Sequence, residues 1–230
     1  MDDVPDSGTG LALHQDFVLL ALNPETGQFR GNFQSYACAG AVVMELAMHG
    51  RIAAEGKKVM VAGTAAFGDP IVDRMLEQMN SAKRPKSLRN WVSTLGRRSK
   101  LTHEIAQTLE TRGIVRSERK RFLGIIPYTT YPLVDPGIRE RLVTDLRHAA
   151  LEADIPPVRL STLAAFGEST GILRHFFNRQ ERSLVKKRLK KWKKDDVYAR
   201  AVGETIAGVQ AAVASAVAVS AAAASTSGGS

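Results

Sequence analysis

Residues 36–50 read YACAGAVVMELAMHG, with Glu45 and His49 as the strongly polar side chains. Ala39, Val42, Val43, Leu46 and Ala47 recur at the spacing of one helix face. Ala41, Met44 and Met48 carry apolar character round the other side. A helix that is apolar nearly all round is buried on most of its faces. Gly50 stands where a helix stop is expected. Such a segment needs partners on every side, so the sequence predicts a central helix with amphipathic helices laid around it.

The flanking pattern supplies those partners. Thr9 can cap a helix over 11–22, and the NPETG turn follows at 23–27. Residues 51–62 read as a short hairpin around Glu55 and Gly56. Asp69-Pro70 opens a helix whose apolar face is Ile71, Met75, Leu76 and Met79. Residues 87–95 predict a short helix carrying Trp91 and Val92 inward, and 101–111 another that stops at Gly113. Residues 114–133, rich in branched and aromatic side chains, read as a β-hairpin. Helices are expected over 138–151, 158–166, 172–192 and 197–224, with Gly167 and Gly171 bracketing a break. The expected organisation is a disordered N-terminus over 1–10, one mainly α domain over 11–222, and a disordered tail over 223–230. Residues 205–224 carry no charge, which is membrane-span length. They are mostly Ala, Val, Ser and Gly, so a final core helix is the better reading.

The net charge of +9 is unevenly placed. Residues 1–80 sum to −5, residues 81–150 to +9 and residues 151–230 to +5. Two thirds of the chain is cationic, which suits a polyanion such as an anionic lipid surface or nucleic acid. The single cysteine, Cys38, excludes an internal disulfide, and its apolar neighbours mark it as a small buried hydrophobe. Residues 1–10 are acidic and lack the apolar core of a signal peptide, so a cytoplasmic protein is expected.

Motifs for catalysis are sparse. The five histidines are isolated, with no i,i+4 pair of them to hold a metal. Glu45 and His49 stand one turn apart, which a local hydrogen bond explains. The segment GTAAFG at 63–68 matches the glycines of a Walker A loop, but Asp69-Pro70 follows where Lys and Ser or Thr are needed. Asp69 and Asp73 are read as helix-capping acids. No enzyme, cofactor or metal is expected.

Two features carry binding chemistry. Residues 101–133 pair a helix with a basic hairpin bearing Arg116, Arg119, Lys120 and Arg121, as a winged-helix wing does. On that reading Arg98, Lys100, Arg119 and Lys120 contact nucleic-acid phosphates. The hairpin tip, however, reads FLGII at 122–126. A greasy tip flanked by cations suits insertion into an anionic membrane or contact with a protein. The run KKRLKKWKK at 186–194 interleaves Leu189 and Trp192 with seven basic residues, which suits a membrane surface or nucleic acid.

In order and spacing, four stretches resemble the Golgi phosphoprotein 3 family in its short bacterial form. They are LALHQDFVLLAL, AGAVVMELAMHGRI, FGDPIVDRML and LETRGIVRSERKRFLG, with Trp91 at a matching place. The resemblance spans about 11–214. It implies a hydrophobic central helix ringed by amphipathic helices, with a projecting β-hairpin. It further implies a non-enzymatic peripheral membrane protein on the cytoplasmic face. Its partners would be phosphatidylinositol 4-phosphate or similar anionic lipids, cytoplasmic tails of membrane proteins, and its own copies through the hairpin. By the resemblance, the family's headgroup tryptophan falls at Arg30, its arginine early in the central helix at Ala39, and its two arginines on the later helix near Ser99 and Thr102. With those four replaced, Arg30, Arg97, Arg98 and Lys100 are the candidates for a rebuilt cationic headgroup site. Leu123, Ile125 and Ile126, with Arg119, Lys120 and Arg121, are the candidates for membrane or partner contact. The expected function is that of an anionic-lipid-binding adaptor, with nucleic-acid binding as the alternative.

Overall fold

The computed structural model describes residues 9–227, apart from positions 33, 99, 124 and 195. Helix α2 (Gln34–Met48) is the centre, and every residue from Ala37 through Leu46 on it is buried. Around it lie α1 (Leu13–Ala21), α3 (Pro70–Asn80), α4 (Leu88–Gly96), α5 (Leu101–Thr111), α7 (Val158–Thr170) and α9 (Asp196–Ser227), all in contact with it. Helices α6 (Gly137–Leu151) and α8 (Arg179–Trp192) form an outer layer on α1 and α7. The core is continuous, with Phe17 and Phe166 meeting edge to face at 6.4 Å. The mainly α architecture is therefore the one the apolar stretch predicts.

Caps set several boundaries. Asp69 accepts from the amides of Ile71 (2.9 Å) and Val72 (3.1 Å), with Pro70 in the first turn of α3. Ser87 caps α4 through the Asn90 amide at 3.2 Å. Asn178 and Glu181 form a reciprocal capping box at the start of α8. That box divides the helix expected over 172–192: a 3-10 turn (Ile172–His175) comes first, then α8. Gly167 lies inside α7 rather than at a break, and its lack of a side chain leaves room for Leu173, which a Cβ there would meet at 2.6 Å. Only Gly171, at φ +74°, ends the helix. Thr9 does not cap α1; Ala12 holds that position, and the Thr9 hydroxyl donates to Asp16 at 2.8 Å. The rest of the expected disordered N-terminus, residues 1–8, lies outside the described residues.

Helix α9 runs to Ser227, five residues into the stretch expected as a disordered tail; the remainder, 228–230, lies outside the described residues. By length and composition, its segment Ala207–Ala224 could cross a membrane. One face of it, Val209, Ala212, Val213, Ala216 and Val217, is nevertheless buried in the core. Gly40 on α2 makes that docking possible, since a Cβ there would stand 2.0 Å from Val213.

Two antiparallel hairpins complete the described elements. Strands β1 (Ile52–Glu55) and β2 (Lys58–Val61) turn at Gly56 and bury Ile52 and Val59. Strands β3 (Glu118–Phe122) and β4 (Ile126–Thr130) pair in the register Glu118↔Thr130 to Phe122↔Ile126. A bridge between Val115 and Leu133 extends the second hairpin to its base. There Glu110 on α5 accepts from both the amide and the hydroxyl of Ser117 at 2.7 Å, which lowers its carboxyl pKa.

Candidate functional site

The β3–β4 hairpin carries its apolar residues outward. Leu123 and Ile125 are about four-fifths exposed, at 79% and 81%, and Ile126 is 59% exposed. Few other large apolar side chains of the described residues reach that exposure. Leu123 adopts φ +49°, a left-handed backbone that costs a non-glycine residue about 1–3 kcal/mol. Arg119 and Arg121 share one face of β3 and are exposed, with Lys120 on the other. Glu118 pairs with Arg116 at 2.8 Å and Lys120 at 3.3 Å, so two of the hairpin's cations are engaged at its base.

The four expected headgroup residues are only partly gathered. Arg97, Arg98 and Lys100 are exposed in the link between α4 and α5, and Arg98 donates to Gln78 at 3.3 Å. Gly96, just before them, packs on Tyr36 at the start of α2. The Gln34 side chain donates to the carbonyls of Arg30 and Gly31, both at 2.7 Å. Both segments thus lie toward the N-terminal end of α2. The Arg30 charge is among the causes that lower the pKa of Arg139 and of His175, after burial in each case. Of the other positions that the resemblance points to, Ala39 and Thr102 are buried, and Ser99 lies outside the described residues.

Arg139, Arg174 and His175 were missed by sequence reasoning. Arg139 stands on α6 and the adjacent pair Arg174-His175 on the 3-10 turn, about 35 positions apart, and Gly31 packs against Ile172 and Thr170 at the start of that turn. The basic run on α8 also differs from expectation. Trp192 is buried, and its indole N–H donates to the Asp154 carbonyl at 3.0 Å, while Arg188 stacks on its ring. Its aromatic therefore docks α8 on the body and is withheld from any surface.

A polar cavity of about 630 Å³ opens where α1, α2, α3, α5 and α7 meet, lined among others by Gln15, Glu45, His49, Asp69, Arg112 and Arg159. Its floor is a buried ion network. Arg159 donates to Asp16 through Nε (3.0 Å) and Nη2 (2.8 Å), to Glu45 through Nη1 (3.2 Å), and to the Leu11 carbonyl. Glu45 also accepts from the Leu13 amide. The His49 ring bonds to the Glu45 carbonyl at 2.9 Å, the local bond expected of that pair. His14 Nε2 stands 3.3 Å from Asp69, close but not aligned for a hydrogen bond. Burial alone would raise the Asp69 carboxyl pKa, but His14 and the Val72 and Ile71 amides outweigh it, and the net shift is downward. The glycine loop at 63–68 is likewise closed, because Asp73 accepts from the amides of Phe67 (2.5 Å) and Gly68 (3.0 Å). Cys38 is buried and its thiol is pushed up to about 12, which makes it unreactive. Among the described residues no group of three His, Cys, Asp or Glu is placed to hold a metal.

A buried apolar helix ringed by others, with a hairpin whose end is apolar and exposed, defines a mainly α fold class. Residues 13–209 match the family model described as Golgi phosphoprotein 3 (GPP34), and the chain belongs to that family. It is also similar to vacuolar protein sorting-associated protein 74 of Eremothecium gossypii, at 24% identity over 156 residues. That match covers 57% of this chain and 46% of the relative, so the chain spans about half the length of the curated relative it matches.

Proposed function

We propose that the protein is a non-enzymatic peripheral membrane adaptor that binds anionic lipid on the cytoplasmic face of a membrane. The observation that carries this reading is the outward-facing tip formed by Leu123, Ile125 and Ile126 beside Arg119, Lys120 and Arg121. Three exposed branched side chains at one end bury in the acyl boundary, while the cations stay among headgroups. Each basic group near an anionic surface adds about 1 kcal/mol. Arg30, Arg97, Arg98 and Lys100 extend the cationic face of the body. Family membership and a relative named for vacuolar protein sorting support a place in membrane traffic, with tails of membrane proteins as clients. The same tip is the surface through which copies would self-associate. A nucleic-acid wing needs cations at its end, where this hairpin has Leu123 and Ile125.

The test is co-sedimentation with vesicles of phosphatidylcholine alone or mixed with phosphatidylserine. Binding should require the anionic lipid and weaken with salt. Absence of binding at every composition would overturn the reading.

A further inference from the structure

The polar cavity above Arg159 has acceptors that its own walls leave unfilled. Glu45 is 1% exposed and lines it from the C-terminal half of α2. Both donors to Glu45, the Leu13 amide and Arg159 Nη1, fall on Oε1. Its Oε2 has His49 Nδ1 near it, at 3.6 Å, and is not sealed in by protein, so it opens on the cavity. Asp69 repeats the pattern at the start of α3. The Ile71 and Val72 amides both use Oδ1. Oδ2 is left with the buried His14, whose Nε2 stands 3.3 Å away and out of line for a hydrogen bond. The His49 ring meets Phe67 edge to face at 4.7 Å, two positions before Asp69, so the end of α2 and the start of α3 share this cavity.

His49 adds a third acceptor. Its Nδ1 bonds to the Glu45 carbonyl, and a carbonyl only accepts, so Nδ1 carries the proton and Nε2 of the neutral ring holds a lone pair. The cations of the cavity are already engaged. Arg159 donates to Asp16, Glu45 and the Leu11 carbonyl. Arg112, exposed at the rim, donates to Gln15 at 3.2 Å and to the Gly10 carbonyl at 2.9 Å. Asp16, Glu45 and Asp69 against Arg159 and Arg112 leave one negative charge when both histidines are neutral. Leu11, Ala12, Phe67 and Pro70 make the rest of the wall largely apolar, and about 630 Å³ is the size of a small-molecule site. A primary ammonium brings one positive charge, three donors and no acceptor. A carboxylate or phosphate would set acceptors against acceptors. Among the described residues no group of three potential ligands is placed to hold a metal instead.

We propose that this cavity binds a small organic amine, its ammonium taken up by Glu45, Asp69 and His49 and its apolar stem lying against Leu11 and Phe67. The site is at the C-terminal end of α2, about 16 Å along the helix axis from Gln34 and the segment of Arg30. It uses neither the hairpin tip nor the Arg97–Arg98–Lys100 link, and it stands without the membrane-adaptor reading.

Cadaverine, spermidine and phenethylamine are titrated into the full chain at constant ionic strength and about pH 7, where alkylamines are protonated. Calorimetry reads affinity, and the thermal midpoint reads stabilisation by the bound amine. At least one amine should bind saturably, about tenfold or more tighter than pentanediol, phenylethanol or glutarate. Asp69→Asn keeps an oxygen for the α3 cap but removes the charge, and should weaken that binding about tenfold or more. Thr111→Trp places a bulky ring at the exposed mouth on α5 and should abolish binding while the urea midpoint stays at wild type. No saturable binding by any of the three amines overturns the proposal. So does an alcohol or glutarate that binds as tightly as the amine, or wild-type affinity in both variants. A capped lysine peptide that binds more tightly than every free amine would assign the cavity to a polypeptide and overturn the proposal as well.

Discussion

Arginine plays opposite parts in two regions of this molecule. Arg159 sits under the polar cavity with Asp16 and Glu45, all three nearly fully buried and joined by short hydrogen bonds. Arg139 is almost as buried but rests on the Phe176 ring beside the 3-10 turn, its Nη2 without a hydrogen-bond partner. The first group ties α1, α2 and α7 together, and removing one partner would strand a charge in the core. In the second, Arg174 on the 3-10 turn is exposed, where water screens it. Paired buried charge holds helices in place; charge at the surface is left to water.

The sharpest way to break this contrast is to delete one arginine from each region. Arg159→Met should destabilise the fold by about 3–5 kcal/mol, since it leaves two buried carboxylates without their cation. Arg174→Ala should change stability by no more than about 0.5 kcal/mol. Urea unfolding followed by circular dichroism reads both. Equal effects would mean that the buried network is not the brace described.

The hairpin offers the next largest effect, on binding rather than stability. Ile125→Asp with Ile126→Asp removes two exposed apolar groups and adds two negative charges beside Arg121. Sedimentation with phosphatidylserine vesicles should fall at least tenfold, with each methylene withheld from the bilayer worth about 0.8 kcal/mol. The unfolding midpoint should stay near wild type, because neither side chain contributes to the core. Sedimentation-velocity measurements on the same variant read whether the tip also joins copies.

A smaller effect separates strain from function at the tip. Leu123 holds φ +49°, so Leu123→Gly should stabilise the protein by up to about 1 kcal/mol while weakening vesicle binding. Opposite signs in the two assays would show that the strained leucine is kept for contact. A loss in both would show that it is packed in a way its exposure does not suggest.

The sequence carried the fold well where information is local. The apolar run of α2, the Asp69-Pro70 and Ser87 caps, and the two hairpins depend on residues near one another in the chain. The tip was legible for the same reason, since turns lie at surfaces and four apolar residues in one turn have few partners. What escaped was long-range. Arg159 meets Asp16 across 143 positions and Glu45 across 114, with no pattern that announces it. Arg139 likewise donates to the Leu19 carbonyl across 120 positions. Trp192 misled because a basic run with an aromatic looks like a surface binder, whereas its i,i+3 partner Leu189 and Val185 mark a docking face. The break before α8 is written locally in the capping box of Asn178 and Glu181, which outweighs the longer helical period of 172–192.

The smallest effect belongs to the balanced side of the comparison and comes from acid. Asp69 has its carboxyl pKa held below the ordinary value in the folded protein, against its own burial, by His14 and the Val72 and Ile71 amides. A folded pKa below the unfolded one means that ionised Asp69 stabilises the fold at neutral pH. That contribution is complete above the unfolded value of about 3.9, and is lost as pH falls through the folded value below it. Asp69→Asn keeps a side-chain oxygen for the α3 cap but removes the charge. Its deficit in urea stability should therefore be constant between about pH 6 and pH 7 and shrink below about pH 4. A deficit that persists unchanged at low pH would assign Asp69 to capping alone and would detach His14 from the network under the cavity.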